Sequence, residues 1–199
     1  MVTINKSINL IVTTALILIF AGNVFAQTNK KGFFVGYEIL EMAMNEFQNF
    51  AGEIGYRFDE KNQVRLTMME VKLTERHLSS KYEAQSIDGE DVEGYFRGYE
   101  VNYDRFFTKN WYISANIGYH HHTYEHTILD DEVENDTPTI GSGIGYNKSN
   151  LFGINHLYLN FSVPVRFYFN KIDETELGET TVRPHSIVNN IWLFLGYEF

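Results

Sequence analysis

Residues 118–127 read GYHHHTYEHT and hold four of the chain's seven histidines. Imidazole ligates zinc and other transition metals and exchanges protons near neutrality, so His120, His121, His122 and His126 are candidates for a metal centre or an acid–base site. Two other groups could do chemistry. By the alternation around them, Glu38, Glu53, Arg57, Arg65, Glu70, Lys72, Glu100, Asp104 and Arg166 share a face. There, paired carboxylates and cations would either run acid–base catalysis or neutralise one another. The acidic runs IDGEDVE, DDEVEND and DETELGE offer hard oxygen ligands to Ca²⁺ or Mg²⁺, although none has the ligand spacing and central glycine of an EF-hand loop. Which of these sites exists depends on where each side chain points, and so on the elements that carry them.

The first 26 residues read as an export signal: Lys6 in a short basic region, the apolar run LIVTTALILIFA, and VFA before Gln27, with cleavage expected after Ala26. That run is shorter than the roughly 20 apolar residues of a spanning helix, and no Cys lies at the junction to carry a lipid. Residues 27–199 are sized for one domain. The net charge is −10, and −11 without the leader, which holds one Lys and no acidic residue. An acidic chain is a poor match for phosphate backbones, so nucleic acid is not an expected partner. The absence of cysteine excludes a disulfide framework and thiol catalysis. No later segment is long and apolar enough for a membrane helix, which leaves a β-barrel as the way to cross a bilayer.

Period-two alternation runs through most of the remainder. In IVNNIWLFLGYEF, Ile191, Leu193, Leu195, Tyr197 and Phe199 share one face, and Asn190, Trp192, Phe194, Gly196 and Glu198 the other. Similar segments at 32–44, 49–60, 63–78, 94–107, 111–129, 139–146 and 156–170 bring the count to eight strands. Tight turns at EKN, TKN and NKSN join them at one end and longer polar loops at the other, the last loop spanning 171–186. The apolar phase slips between Met68 and Met69, which predicts a β-bulge. Pro164 lacks an N–H and is expected at a bulge or an unpaired position. The dipeptide Gly-Tyr occurs seven times, at 36, 55, 94, 98, 118, 145 and 196, with Gly on the polar face and Tyr on the apolar one. Tyrosine suits a lipid–water interface, and glycine relieves crowding in a narrow interior. A face with so many charges cannot be an apolar core, so the apolar face belongs outside, against lipid.

The terminal strand, alternating and ending on Phe199, resembles the C-terminal signature strand of bacterial outer-membrane β-barrel proteins. As a pattern the whole chain is similar to the small eight-stranded group that includes OmpX-like and OmpA-transmembrane-like barrels and the proteins carrying the generic outer membrane protein beta-barrel or porin-family label. The resemblance implies an all-β, antiparallel eight-stranded transmembrane β-barrel over residues 27–199, in the Gram-negative outer membrane and without cofactor. It also implies contact with outer-membrane lipid and lipopolysaccharide, recognition by the barrel-assembly machinery through the strand ending at Phe199, and a monomeric state. An interior of eight strands is just wide enough for side chains to fill, so a diffusion pore is not expected. Some barrels of this kind act on lipid A. The deacylases carry a His-x-Ser-Asn segment, but in YNKSNLF Asn147 stands where the His would be and leaves Ser149 without its base. The palmitoyl-transferring type uses a His with an Asp-Ser pair, and this chain has no Asp-Ser dipeptide. The expectation is therefore a non-enzymatic barrel with an envelope-structural, surface-contact or adhesion role. The alternatives are a lipid A-modifying enzyme or a narrow conduit or binder for a small ligand.

This architecture sorts the histidines. With Trp111, Ile113, Ala115, Ile117 and Tyr119 facing lipid, His121 points out, and His120, His122 and His126 point in. A spanning strand needs about 9–11 residues, so the bilayer ends near residue 121 and the inward three lie at the extracellular mouth. His120 and His122 on one strand face stand about 7 Å apart, close enough to share a metal. The TKN turn sets His120 opposite Gly98 with Glu100 diagonal to it. His120, His122 and His126 are thus the metal candidates, against a polar, water-filled rim that responds to pH.

Overall fold

A computed structural model describes residues 31–44, 49–73, 85–89 and 91–199. The export-signal reading of residues 1–26 and the outer end of the third expected strand, residues 74–78, lie outside the described residues. The strands are β1 (Gly32–Glu38), β2 (Phe50–Arg57), β3 (Asn62–Leu73), β4 (Gln85–Asp88), β5 (Val92–Phe106), β6 (Trp111–His126), β7 (Glu132–Ser149), β8 (Leu157–Tyr168), β9 (Thr175–Leu177), β10 (Thr180–Pro184), β11 (Ile187–Asn189) and β12 (Trp192–Glu198). One short helix, α1 (Leu40–Met44), follows β1.

The main sheet runs β11-β8-β12-β1-β2-β3-β5-β6-β7 and closes through β7–β8, every pairing antiparallel. Strands β11 and β12 meet β8 in one register, Ile187 opposite Phe167 and Trp192 opposite Ser162, so they form two parts of a single wall strand. The expected eight-stranded antiparallel barrel is therefore present. Stepping between registered partners gives Ser149, Tyr158, Gly196, Gly36, Glu53, Thr67, Glu100, Gly118 and then Thr139, back on β7 ten residues from the start. That stagger tilts the strands, as closing an eight-stranded sheet into a barrel requires.

Several boundaries differ from expectation, each for a local reason. Strand β1 stops at Glu38, whose carboxylate accepts the backbone N–H groups of Leu40 (3.1 Å), Glu41 (2.7 Å) and Leu193 (2.9 Å), so α1 starts where more strand was expected. Strand β7 begins at Glu132, making most of the supposed acidic loop part of the wall. At its other end it runs to Ser149, and the reversal falls at Asn150–His156, where Asn150, Phe152 and His156 have left-handed φ. The segment 171–186 is not an open loop: β9 and β10 form a three-stranded sheet with β4. Pro164 does sit at an unpaired position on one side, where the register puts it opposite Asn190 in the break between β11 and β12.

The bulge expected in β3 is absent. Strand β3 pairs with β5 in one unbroken register from Asn62–Arg105 to Leu73–Gly94. What changes along β3 is the polarity of its surroundings. Below Met69 the inward residues are Gln63, Arg65 and Thr67, and the outward ones Val64, Leu66 and Met68. Above it the inward residues are Met69, Val71 and Leu73, and the outward ones Glu70 and Lys72. Glu70 and Lys72 are therefore not interior charges: Glu70 accepts from Arg97 at 2.7 Å, and Lys72 donates to Glu93 at 2.7 Å, both pairs on the outer surface.

The same inversion occurs on neighbouring strands at one level. Met68, Tyr99, Tyr119 and Pro138 form an uncharged outward row. One row higher come Glu70, Arg97, His121 and Asp136, with His121 Nδ1 2.9 Å from Asp136 Oδ1. Above this row the inside of the wall is mainly apolar, with His122 and Asn135 the polar exceptions next to it: Val71, Leu73, Val92 and Tyr124 pack with Ile172, Leu177 and Val182 of the capping segment. Below it large apolar side chains cover the outside, among them Phe33, Ile117 and Phe167, and the inside is polar. The lower barrel is built for an apolar surround, and its upper extension for water.

Candidate functional site in the barrel interior

Interior side chains project from alternate positions of the wall strands, and most of the charges expected inside are there: Glu38, Glu53, Arg57, Arg65, Glu100, Asp104 and Arg166 are all buried. They form two networks. In the lower one, Arg65 lies between Asp104 (Nε–Oδ2 2.9 Å) and Glu53 (Nη1–Oε2 3.0 Å). The carboxylate of Glu53 also accepts from the Tyr158 hydroxyl (2.8 Å) and from Asn160 Nδ2 (3.1 Å). Asp104 Oδ2 accepts from Gln63 Nε2 (2.8 Å), and Gln63 Oε1 accepts from Arg57 Nη2 (2.8 Å). Arg57 further faces Glu198 at 3.7 Å and lies over the Phe106 ring at 4.9 Å. These links tie β2, β3, β5, β8 and β12 together across the lumen.

The upper network centres on Glu100. Arg166 donates to both of its oxygens, from Nη2 to Oε2 at 3.0 Å and from Nε to Oε1. His120 Nε2 lies 2.9 Å from Oε1, and His120 Nδ1 lies 2.6 Å from the Tyr168 hydroxyl. Arg166 also donates to Asn190 and stacks over Trp192 at 4.8 Å. Glu53, Glu100 and Asp104 are thus engaged by cations and amides, an arrangement that neutralises buried charge and leaves none of the three positioned as a free base facing a cleft. Ser149, singled out by its likeness to the deacylase segment, donates to Glu198 at 2.6 Å, while Asn147 accepts from Arg57 at 3.3 Å.

His120 faces Gly98 across the β5–β6 ladder, as the TKN turn requires. His120 and His122 both point inward, with ring centroids 6.2 Å apart. His126 does not join them: its Nδ1 accepts the backbone N–H groups of Ile128 and Leu129, each at 3.1 Å, and holds the β6–β7 turn. Among the described residues no group of three His, Asp, Glu or Cys side chains is gathered around a point where a metal would sit. The acidic residues of the upper wall are spread along ladders, Glu93 opposite Glu125 and Glu125 opposite Glu132. The histidines also lie beneath a roof: His120 and His122 are buried, and the apolar cluster of the capping segment sits above them.

Between the roof and the upper network lies a cavity of about 60 Å³. Met69, Phe96, Tyr124 and Trp192 line its sides, and Glu38 and Arg166 line it at the level of the upper network. Three interior tyrosines went unnoticed in the sequence, Tyr112, Tyr158 and Tyr168, whereas Tyr124 points inward as the alternation of its strand requires. A signal for them existed, since none follows a glycine, whereas all seven tyrosines preceded by glycine take the outward phase. The glycines make room for inward rings. A Cβ at Gly145 would strike the ring of Tyr112, and one at Gly36 or Gly196 would strike Tyr158.

No protein-family model matches the chain, and no curated protein matches it. Among solved structures it is similar to Ail, the attachment invasion locus protein of Yersinia pestis, at 13% identity and a TM-score of 0.42, covering 85% of this chain and 97% of that one. It is similar to the N-terminal β-barrel domain of Pseudomonas aeruginosa OprF at 14% identity and a TM-score of 0.42, covering 87% and 100%. Neisserial surface protein A matches at 12% identity and a TM-score of 0.44, covering 85% and 95%. The closed register of the wall, and not this likeness, carries the fold.

Proposed function

We propose that the protein is a non-enzymatic integral β-barrel of the bacterial outer membrane, monomeric, which holds a rigid, acidic rim above the lipid for envelope-structural or surface-contact roles. The observation that carries this reading is the polarity inversion at the Glu70–Arg97–His121–Asp136 row. A barrel in water throughout would have no reason to put Ile117, 62% exposed, on its surface while burying Glu53, Arg65 and Asp104. A barrel crossing lipid below that row and standing in water above it has reason for both patterns. No described helix is long and apolar enough to span a membrane, so the crossing falls to the strands. The pairing of Glu53, Asp104 and Glu100 with buried arginines and the Asn147–Ser149 arrangement favour the non-enzymatic reading over lipid A modification.

The terminal strand supports delivery through the barrel-assembly machinery: Leu193, Leu195, Tyr197 and Phe199 face outward, and Phe199 N–H donates to Phe33 O at 2.8 Å to close β12 on β1. Fractionation of cells expressing the protein should place it in the outer membrane, with a folded form whose gel mobility shifts on boiling and lipid A of unchanged mass. A species soluble without detergent would refute the barrel reading, and deacylated or palmitoylated lipid A would refute the non-enzymatic one. Deleting Phe199 should lower the assembled fraction several-fold, and normal insertion of that variant would remove the terminal strand's role.

A further inference from the structure

We propose that the foot of the barrel, where the β5–β6 and β7–β8 turns meet, docks an anionic phospholipid of the inner leaflet. Lys109 and Lys148 take its phosphate, and Phe152 and Ile154 lie along its chains. The proposal rests on the outer-membrane reading above and adds to it a choice among lipids. Its first support is charge. The chain has 26 acidic residues, yet none falls in 105–124 or 137–172, the stretches that build this side of the foot. The cations that point outward there are Arg105 at the end of β5, Lys109 in the turn after it, and Lys148 on β7. Neighbouring acids are turned away or occupied. Glu198 points inward, where it accepts from Ser149 at 2.6 Å and faces Arg57, and Phe199 closes on Phe33 of β1. In the β2–β3 turn Asp59 accepts from the backbone N–H of Lys61 (2.7 Å) and from Asn62 Nδ2 (2.8 Å).

The two lysines share one side of a fixed junction. Asn147 N–H donates to Asn110 O at 2.9 Å and Asn110 Nδ2 to the Tyr146 hydroxyl at 2.9 Å, which carries the β6–β7 ladder one step past Trp111–Tyr146. Lys109 and Lys148 follow, each one residue nearer the foot. The β7–β8 turn beside them is equally well held. Gly153 and Ile154 donate their N–H groups to Asn150 O (3.1 Å) and Leu151 O (3.0 Å), and Asn150 Oδ1 accepts from His156 N–H (3.3 Å). Leu151 is buried against Tyr146 and Leu159, both on the lipid-facing side of the wall, so the turn lies against that side. From it Phe152 projects with 81% of its surface exposed and Ile154 with 55%. Phe152 also has φ +54°, a region that bulky side chains rarely adopt. Water offers nothing to offset that strain, whereas acyl chains bury the ring. Lysine stems run along apolar surface and carry their ammonium groups up to a headgroup, and basic groups beside a bilayer draw anionic lipid.

Trp192→Phe leaves Trp111, within this surface, as the only tryptophan. Its fluorescence is followed in mixed phosphatidylcholine–phosphatidylglycerol vesicles in which one lipid or the other carries brominated chains, at equal mole fractions. Brominated phosphatidylglycerol should quench Trp111 more strongly than brominated phosphatidylcholine, and the preference should shrink at high salt. Combining Lys109→Gln with Lys148→Gln should abolish the preference while total quenching is kept. Phe152→Asp, which sets an anion where the chains lie, should remove it too, and Lys61→Gln in the neighbouring turn should retain it. Should Trp192→Phe lose the mobility shift on boiling, 5-fluorotryptophan in the otherwise unmodified protein gives the same comparison from the ¹⁹F line of Trp111 with spin-labelled lipids. Equal quenching by the two lipids, or a preference that survives in the double variant, would overturn the proposal and leave the barrel reading standing. No quenching by either lipid would sink both together.

Discussion

Glu100 serves two strands at once, taking Arg166 from β8 and His120 from β6. Truncating it would leave Arg166 buried with only Asn190 as hydrogen-bond partner, a situation that costs about 3–5 kcal/mol. Glu100→Ala should therefore lower the urea midpoint of the folded barrel in detergent substantially. Glu100→Gln, which can still accept hydrogen bonds, should fall between it and the parent. An unchanged midpoint for Glu100→Ala would mean that the upper network contributes nothing to stability. At this scale the sequence was legible wherever direction alone decided the matter. The alternation around Ile117 sends His120 and His122 inward and places Glu100 beside His120, because a two-residue period and one tight turn are enough to fix both. The fate of His126 was not legible, since it depends on the backbone of residues 127–129 folding back onto the ring. Nor was the roof over the histidines, which comes from Ile172, Leu177 and Val182, distant in sequence from β6.

Strand β3 shows how the surrounding medium can be mistaken for geometry. Its apolar residues change phase between Met68 and Met69, as they would across a bulge, yet its register with β5 never breaks. The apolar face moved from outside to inside because the strand left an apolar surround and entered water. A sequence pattern records which face is apolar, and only the ladder shows whether the backbone or the medium changed. The same misreading hid the upper part of β7, whose outward Glu132, Glu134 and Asp136 looked like loop. Two substitutions on neighbouring strands separate the zones. Ala115→Arg on β6, in the middle of the apolar band, should destabilise the barrel by about 2–4 kcal/mol, and Glu134→Arg on β7, exposed above the charged row, by about 0–1 kcal/mol. Equal costs at the two sites, read from urea midpoints in lipid vesicles, would contradict the boundary. In the upper zone Glu125 lies directly opposite both Glu93 and Glu132. Like charges so placed repel, and Glu125→Gln should stabilise the protein slightly at low salt, an effect that vanishes at high salt.

Among the described residues the molecule is a barrel of tilted strands with a polar plug below, a small cavity above the plug, and an apolar-cored cap at the top. Arg57, Arg65, Glu53 and Asp104 span the lower lumen and leave no described route for ions, so single-channel recordings in planar bilayers should show no steady conductance. Sustained openings in the unmodified protein would contradict the plug. The central claim is that the Glu70–Arg97–His121–Asp136 row marks the outer edge of a lipid-facing band. Nitroxide labels placed one at a time along β6 in liposomes test it most directly, through their collisions with oxygen and with a water-soluble nickel chelate. Labels at Ile113, Ala115, Ile117 and Tyr119 should meet oxygen and escape nickel, and those at Ser114, Asn116 and Gly118 should be shielded from both. At His121 and Glu125 the outward labels should turn nickel-accessible. Nickel access along 113–119, or lipid-like behaviour continuing to Glu125, would contradict the account.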